Sequence, residues 1–187
     1  MNYLIAGLGN IGDEYDHTRH NIGFMILDAL AKASNIGFED KRYGFVGELK
    51  VKGQTLILLK PSTYMNLSGN AVRYWMQKKK IELDHLLVVN DDVALPLGAL
   101  RMKPSGSEGG HNGLRSITSC LGTNQYARLR FGIGHDFPRG AEADYVLGRF
   151  PEKESELLEQ RIKQADDMIV SFCLAGVQYT MNQYNNK

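Results

Sequence analysis

Two unbroken apolar runs restrict the fold more than any other feature: "YLIAGL" at 3–8, and the start of "HLLVVNDD" at 85–92. Each is too short for a typical helix and shows no polar alternation, so each reads as a strand buried on both faces. A sheet carrying such strands needs helices packed on both sides. The rest of the chain supplies them. "NIGFMILDALAKAS" (21–34) has apolar residues at helical spacing, and "LSGNAVRYWMQKKK" (67–80) reads as a helix with Ser68 as N-cap. "FVGELKVKGQTLILLKP" (45–61) reads as two strands around the turn "KGQT", ended by Pro61. "LGALRMK" (97–103) and "YARLRFGIG" (126–134) are further strands, separated by the glycine-rich loop 104–113 and a short helix over 114–122. From Pro151 onward the chain is mostly helical, with a break at Gly176. The expected class is therefore α/β, a single-domain three-layer α/β/α fold over 1–187 around a mixed sheet, with a mostly helical segment 151–187.

Composition narrows the function classes. With 43% hydrophobic and 23% charged residues, the 187-residue chain reads as soluble and globular. No apolar run approaches the roughly 20 residues of a membrane span. "MNYLIAGLGN" lacks the basic leader of a signal peptide, so a cytoplasmic location is expected. Cys120 and Cys173 fall in helical patterns outside any CxxC and read as reduced thiols. The net charge of +1 conceals an asymmetry. Residues 98–139 hold six cations (Arg101, Lys103, Arg115, Arg128, Arg130 and Arg139) against two acids, whereas 151–187 hold four cations against six acids. A basic middle of this kind suits a polyanionic partner.

Gly7, Gly9 and Gly12 satisfy GxGxxG after a predicted strand, as a dinucleotide site requires. The context disagrees. "DEYD" follows at once, putting Asp13, Glu14 and Asp16 where phosphates would sit, and the helical pattern begins only near Ile22. The glycines read instead as a tight turn with close backbone approach. The polar residues beyond them suggest hydrolysis. His20, at a loop-to-helix junction, is the candidate base. Asp91, at the end of "VVNDD", can orient its ring and stabilise the imidazolium, with Asp92 beside it as the alternative. Asn10, Asn66 and Asn112 fall in loops or at element ends, where uncharged amides can grip a peptide-like substrate and an oxyanion. Asn21 reads mainly as a helix cap. No covalent nucleophile stands out, since Ser107 has Gly109 after it but Ser105 before it, so water is the expected nucleophile. His17 and His20 form HxxH without HExxH or cysteine support, so neither a metal nor any other cofactor is expected.

These segments resemble one family. "YDHTRHNIGFMILD" (15–28) and "SEGGHNGLRSI" (107–117) look like signature segments of bacterial peptidyl-tRNA hydrolase, and "GLGNIG", "PSTYMNLSG", "NDDVALPLG" and "RLRFGIG" follow its order over essentially the whole chain. The resemblance implies a monomeric, single-domain enzyme with a twisted mixed sheet. Such an enzyme cleaves the ester between a peptide and the 3′-terminal ribose of tRNA, recycling tRNA from prematurely released chains. It implies His20 as general base, Asp91 as its support, and Asn10 as a substrate contact that helps tell a blocked α-amine from a free one. Tyr15, Tyr64, Asn66 and Asn112 would line the site. Arg101, Lys103, Arg128 and Arg130 then have a partner in acceptor-stem phosphates, with packing within its own strand as the alternative for Arg130. The sequence departs from the family at Ala94, where an acid is common, and at Asn90, where a histidine is. An RNA-binding module without turnover would leave His20, Asp91 and the asparagines without a purpose. An NAD-dependent oxidoreductase would rest on the glycines alone.

Overall fold

The computed structural model describes residues 1–185; the end of the 1–187 span, including Lys187 of the acidic-tail count, lies outside the described residues. Seven strands form one mixed sheet: β1 (Asn2–Gly7), β2 (Glu39–Lys41), β3 (Gly44–Val51), β4 (Gln54–Pro61), β5 (Leu86–Asp92), β6 (Leu100–Lys103) and β7 (Ala127–Gly132), in spatial order β2-β3-β4-β1-β5-β7-β6. The central four are parallel, and β2, β3 and β6 run antiparallel to their neighbours. β3 and β4 form the expected hairpin. Its turn residues Lys52 and Gly53 both have positive φ (47° and 83°), the backbone that a two-residue connection between twisted strands favours.

The apolar runs do what their composition requires. In β1, Leu4 and Ala6 join the core on one face while Ile5 joins the core on the other; Leu86 and Val88 against Leu87 and Val89 divide β5 likewise. One face is covered by α1 (Ile22–Ala33), α5 (Ser155–Ala175) and α6 (Val177–Tyr184), the other by α2 (Ser68–Lys79) and α3 (Asn112–Leu121). A short α4 (Glu142–Val146) stands beside the strand ends. No helix among the described residues is long and apolar enough to cross a membrane.

Several local expectations change. Ser68 is not an N-cap: it is already helical, and its hydroxyl donates to the Met65 carbonyl at 2.7 Å. α3 starts two residues before the expected 114. The glycines after β1 lead into an isolated 3-10 turn over Asp13–Tyr15, not into a helix that could receive a phosphate. Their use is steric. A Cβ on Gly7 would strike the Gly23 carbonyl, and one on Gly23 would strike the backbone of Leu8 and Val89, so α1 begins almost in backbone contact with β1 and β5. That contact places the residues just before α1 at the sheet's carboxyl end.

Candidate functional site

β1 and β5 are parallel neighbours, so the chain leaves both at the same edge, where open α/β sheets hold ligands. A cavity of about 640 Å³ opens there. Asn10 enters it from the loop after β1, Asp91 from the end of β5, and His20 from the 3-10 turn Arg19–Asn21 that leads into α1.

Asp91 is 3% exposed and holds two imidazoles. Its Oδ2 lies 2.8 Å from His20 Nδ1, and its Oδ1 lies 2.7 Å from His111 Nε2. Asp92 turns away and pairs with Arg130 at 3.1 Å, so of the two adjacent acids Asp91 is the one that reaches His20. The far nitrogen of His111 fixes the proton arrangement. His111 Nδ1 accepts from the backbone N–H groups of Gly113 (3.1 Å) and Leu114 (3.3 Å), capping α3. An accepting Nδ1 leaves the ring hydrogen on Nε2, which donates to Asp91. His20 donates from Nδ1 to the other carboxylate oxygen, leaving its Nε2 without a hydrogen-bond partner among the described residues. Burial is the largest influence on Asp91 and opposes ionisation. The electrostatic attraction and N–H groups of His111, then His20, outweigh it and hold the carboxyl well below the usual carboxylate range. For His20, too, burial is the largest influence and disfavours the cation. The Asp91 charge and hydrogen bond, with a further contribution from Glu142, reverse that and raise its proton affinity above that of an ordinary histidine.

The amides are oriented rather than free. Asn21, expected to cap a helix, clamps Asn10 instead: its Oδ1 accepts from the Asn10 N–H (2.8 Å) and its Nδ2 donates to the Asn10 carbonyl (2.9 Å), while α1 has no side-chain cap. Asn10 Oδ1 accepts from the Met65 N–H at 2.6 Å. The acceptor half of Asn10 is thus consumed, and its NH₂ donors remain for the cavity. Asn66 and Asn112 also line the cavity, Asn112 from the first turn of α3 rather than from the loop. Tyr15 and the 51%-exposed Tyr64 meet edge-on at its rim, ring centroids 6.3 Å apart.

The basic residues divide. Register sets Arg101 opposite Arg130 and Lys103 opposite Arg128, so all four project from one face of the β6–β7 pair. Arg128 is 1% exposed and spends its guanidinium on the carbonyls of Ser107, Asn124 and Tyr126; that burial corrects its expected availability to a phosphate. Arg130 is engaged by Asp92. Lys103 is exposed on the cavity wall, and Arg101 stands outside the lining.

One ring nitrogen each of His20 and His111 and a carboxylate oxygen of Asp91 lie within 4.8 Å of one another, which invites a metal reading. The donor set fits poorly. His111 Nε2 carries the hydrogen that its capping role dictates, so it has no lone pair to give. His17, the other member of HxxH, is exposed and lies beside Asp16.

Sequence reasoning missed His111, Asn21 as a clamp, and Glu142. For His111 a signal existed: with α3 begun at Asn112, His111 occupies the N-cap position. The clamp and Glu142 depend on loop paths that periodicity does not report. Asn90, one of the family departures, is buried and donates to the Asp91 carbonyl at 2.9 Å. Ala94, the other departure, lines the cavity, and the same lining holds an acid brought by α4, Glu142.

Fold and site together describe an α/β protein that brings a paired imidazole to the carboxyl end of its sheet. The family model described as Peptidyl-tRNA hydrolase matches residues 4–187. A peptidyl-tRNA hydrolase from Phocaeicola vulgatus is 64% identical over 187 residues, covering all of both chains. One from Syntrophomonas wolfei is 45% identical over 183 residues, covering 97% of this chain and 99% of its own. A crystal structure of peptidyl-tRNA hydrolase from Acinetobacter baumannii matches with a TM-score of 0.92 at 35% identity, over 98% of this chain and 94% of that one. The chain belongs to the peptidyl-tRNA hydrolase family.

Proposed function

We propose that this chain, as one domain and a monomer, hydrolyses the ester between a peptide and the 3′-terminal ribose of tRNA with water activated by His20. The observation that carries the reading is the 2.8 Å bond from His20 Nδ1 to a buried Asp91, which leaves Nε2 free at the cavity. Nε2 takes a proton as water adds to the ester carbonyl carbon. The Asn10 NH₂ group donates to the oxyanion, and the imidazolium, steadied by Asp91, returns the proton to the departing ribose oxygen. The products are a free peptide carboxylate and tRNA with its hydroxyl restored. No metal or other cofactor enters this scheme, and the setting is the cytoplasm, where tRNA is recycled.

The test is release of free tRNA from N-acetyl-aminoacyl-tRNA in the presence of chelator. RNA binding without release would make the protein a binding module instead. The pH dependence has a defined sign. Only the neutral ring accepts a proton, and His20 holds its proton more tightly than an ordinary histidine. The acid limb of kcat/KM should therefore be displaced above the ordinary histidine value of about 6.5. A limb at or below that value argues against His20 as base.

Lys103, Arg101 and Arg130 would meet the acceptor stem through its phosphates, which contribute charge and shape without sequence. Lys103 is the most exposed of these, so Lys103→Ala should weaken tRNA binding and reduce the slope of log K against log salt by roughly one contact's share, about 0.7–0.9. An unchanged slope places the stem elsewhere.

A further inference from the structure

α4 and the residue that follows it wall the cavity with Glu142, Ala143, Val146 and Leu147, and α4 is fastened to the residue just before His20. Arg19 Nη1 donates to the Tyr145 carbonyl at 2.9 Å, and the guanidinium carbon lies 4.0 Å from the Tyr145 ring centroid. The Arg19 backbone N–H donates to the Gly148 carbonyl at 2.9 Å. From the other side the Tyr145 hydroxyl donates to the Ile133 carbonyl, just beyond β7, at 2.6 Å. This wall is therefore held in place relative to the base.

The charges lining the cavity are separated. Lys103 pairs in register with Arg128, five residues before Ile133, which is about 16 Å of extended strand. If phosphates meet Lys103, as the proposed function has it, an ester at His20 leaves the α4 side of the cavity to the peptide. The acids of the cavity have different neighbours. Asp91 is committed to two imidazoles, Asp92 to Arg130, and the charge of Glu108 acts on Tyr126 and Arg128. Glu142 forms no ion pair among the described residues, and its charge is felt at His20.

We propose that Glu142 is a specificity-determining residue that favours a positively charged side chain on the amino acid bearing the ester. The proposal rests on reading the cavity as a peptidyl-tRNA site. Because Glu142 is exposed, its attraction is partly screened, so the preference is modest and weakens with salt.

The test charges one tRNA with Nα-acetyl-lysine or with Nα-acetyl-norleucine, near-isosteres that differ in charge, and compares kcat/KM. The lysine-to-norleucine ratio cancels any change that Glu142 makes in His20 itself. Glu142→Gln should lower this ratio by about two- to fivefold at low salt, and raising the salt should shrink the wild-type ratio toward that of the variant. A ratio that moves by less than about twofold, with both esters cleaved, overturns the role of Glu142 and leaves the hydrolytic reading intact. Failure of the wild-type protein to cleave either ester overturns both.

Discussion

His20→Ala is expected to lower kcat on N-acetyl-aminoacyl-tRNA by about 10²- to 10⁴-fold, the usual share of a positioned general base. The affinity for tRNA should stay close to that of the wild type. The reasoning is local. His20 Nε2 is the ring nitrogen at the cavity that is free to accept a proton, whereas His111 Nδ1 is occupied by the backbone of α3. Removing the ring also strips one partner from a buried carboxylate, which costs stability. His20→Asn retains an N–H donor for Asp91 while deleting the base, and serves as the control. Equal losses in both variants, each folded by thermal melting, assign the effect to proton transfer. A variant within about fivefold of wild type removes His20 from the mechanism.

Asp91→Asn is expected to cost nearly as much, for a different reason. The carboxylate accepts from both imidazoles. An amide in its place offers one oxygen and one NH₂ group, so one ring must turn its lone pair toward the new donor. His111 cannot, because its Nδ1 is held as the acceptor for Gly113 and Leu114. His20 must therefore switch tautomer, placing its hydrogen on Nε2 and its lone pair away from water. Where an aspartate–histidine pair has been broken in this way in other hydrolases, the loss in kcat is about 10⁴-fold. With the anion gone, the acid limb of the pH profile should also move down, since Asp91 raises the proton affinity of His20. A small loss with an unmoved limb would mean that the carboxylate does not steer the ring.

The parts of this molecule that could be read from its letters share a physical property: they are set by local periodicity. "YLIAGL" and "LLVV" became strands buried on both faces because no other arrangement hides unbroken apolar runs. The Lys52–Gly53 turn and the break at Gly176 (φ 91°) followed from backbone chemistry at single residues. Placing Asn10 and Asp91 at strand ends and His20 at a loop-to-helix junction was legible for the same reason. What stayed hidden depends on side-chain reach across the sheet. Arg128 and Arg130 sit at alternate positions of one strand, yet only the three carbonyls around Arg128 decide that its charge is spent internally. Asn21 looked like a cap because asparagines before helices commonly are; its use as a clamp depends on Asn10 lying beside it, eleven residues away in sequence. Glu142 sits in a five-residue helix too short to leave a pattern.

His111 ties chemistry to architecture. One ring both finishes the first turn of α3 and sets which hydrogen its neighbours may share. Fraying at that single helix end would release the ring, let the proton pattern scramble and silence turnover while the sheet remained whole. Loss of activity on warming would then run ahead of melting, making function a more sensitive thermometer than the fold.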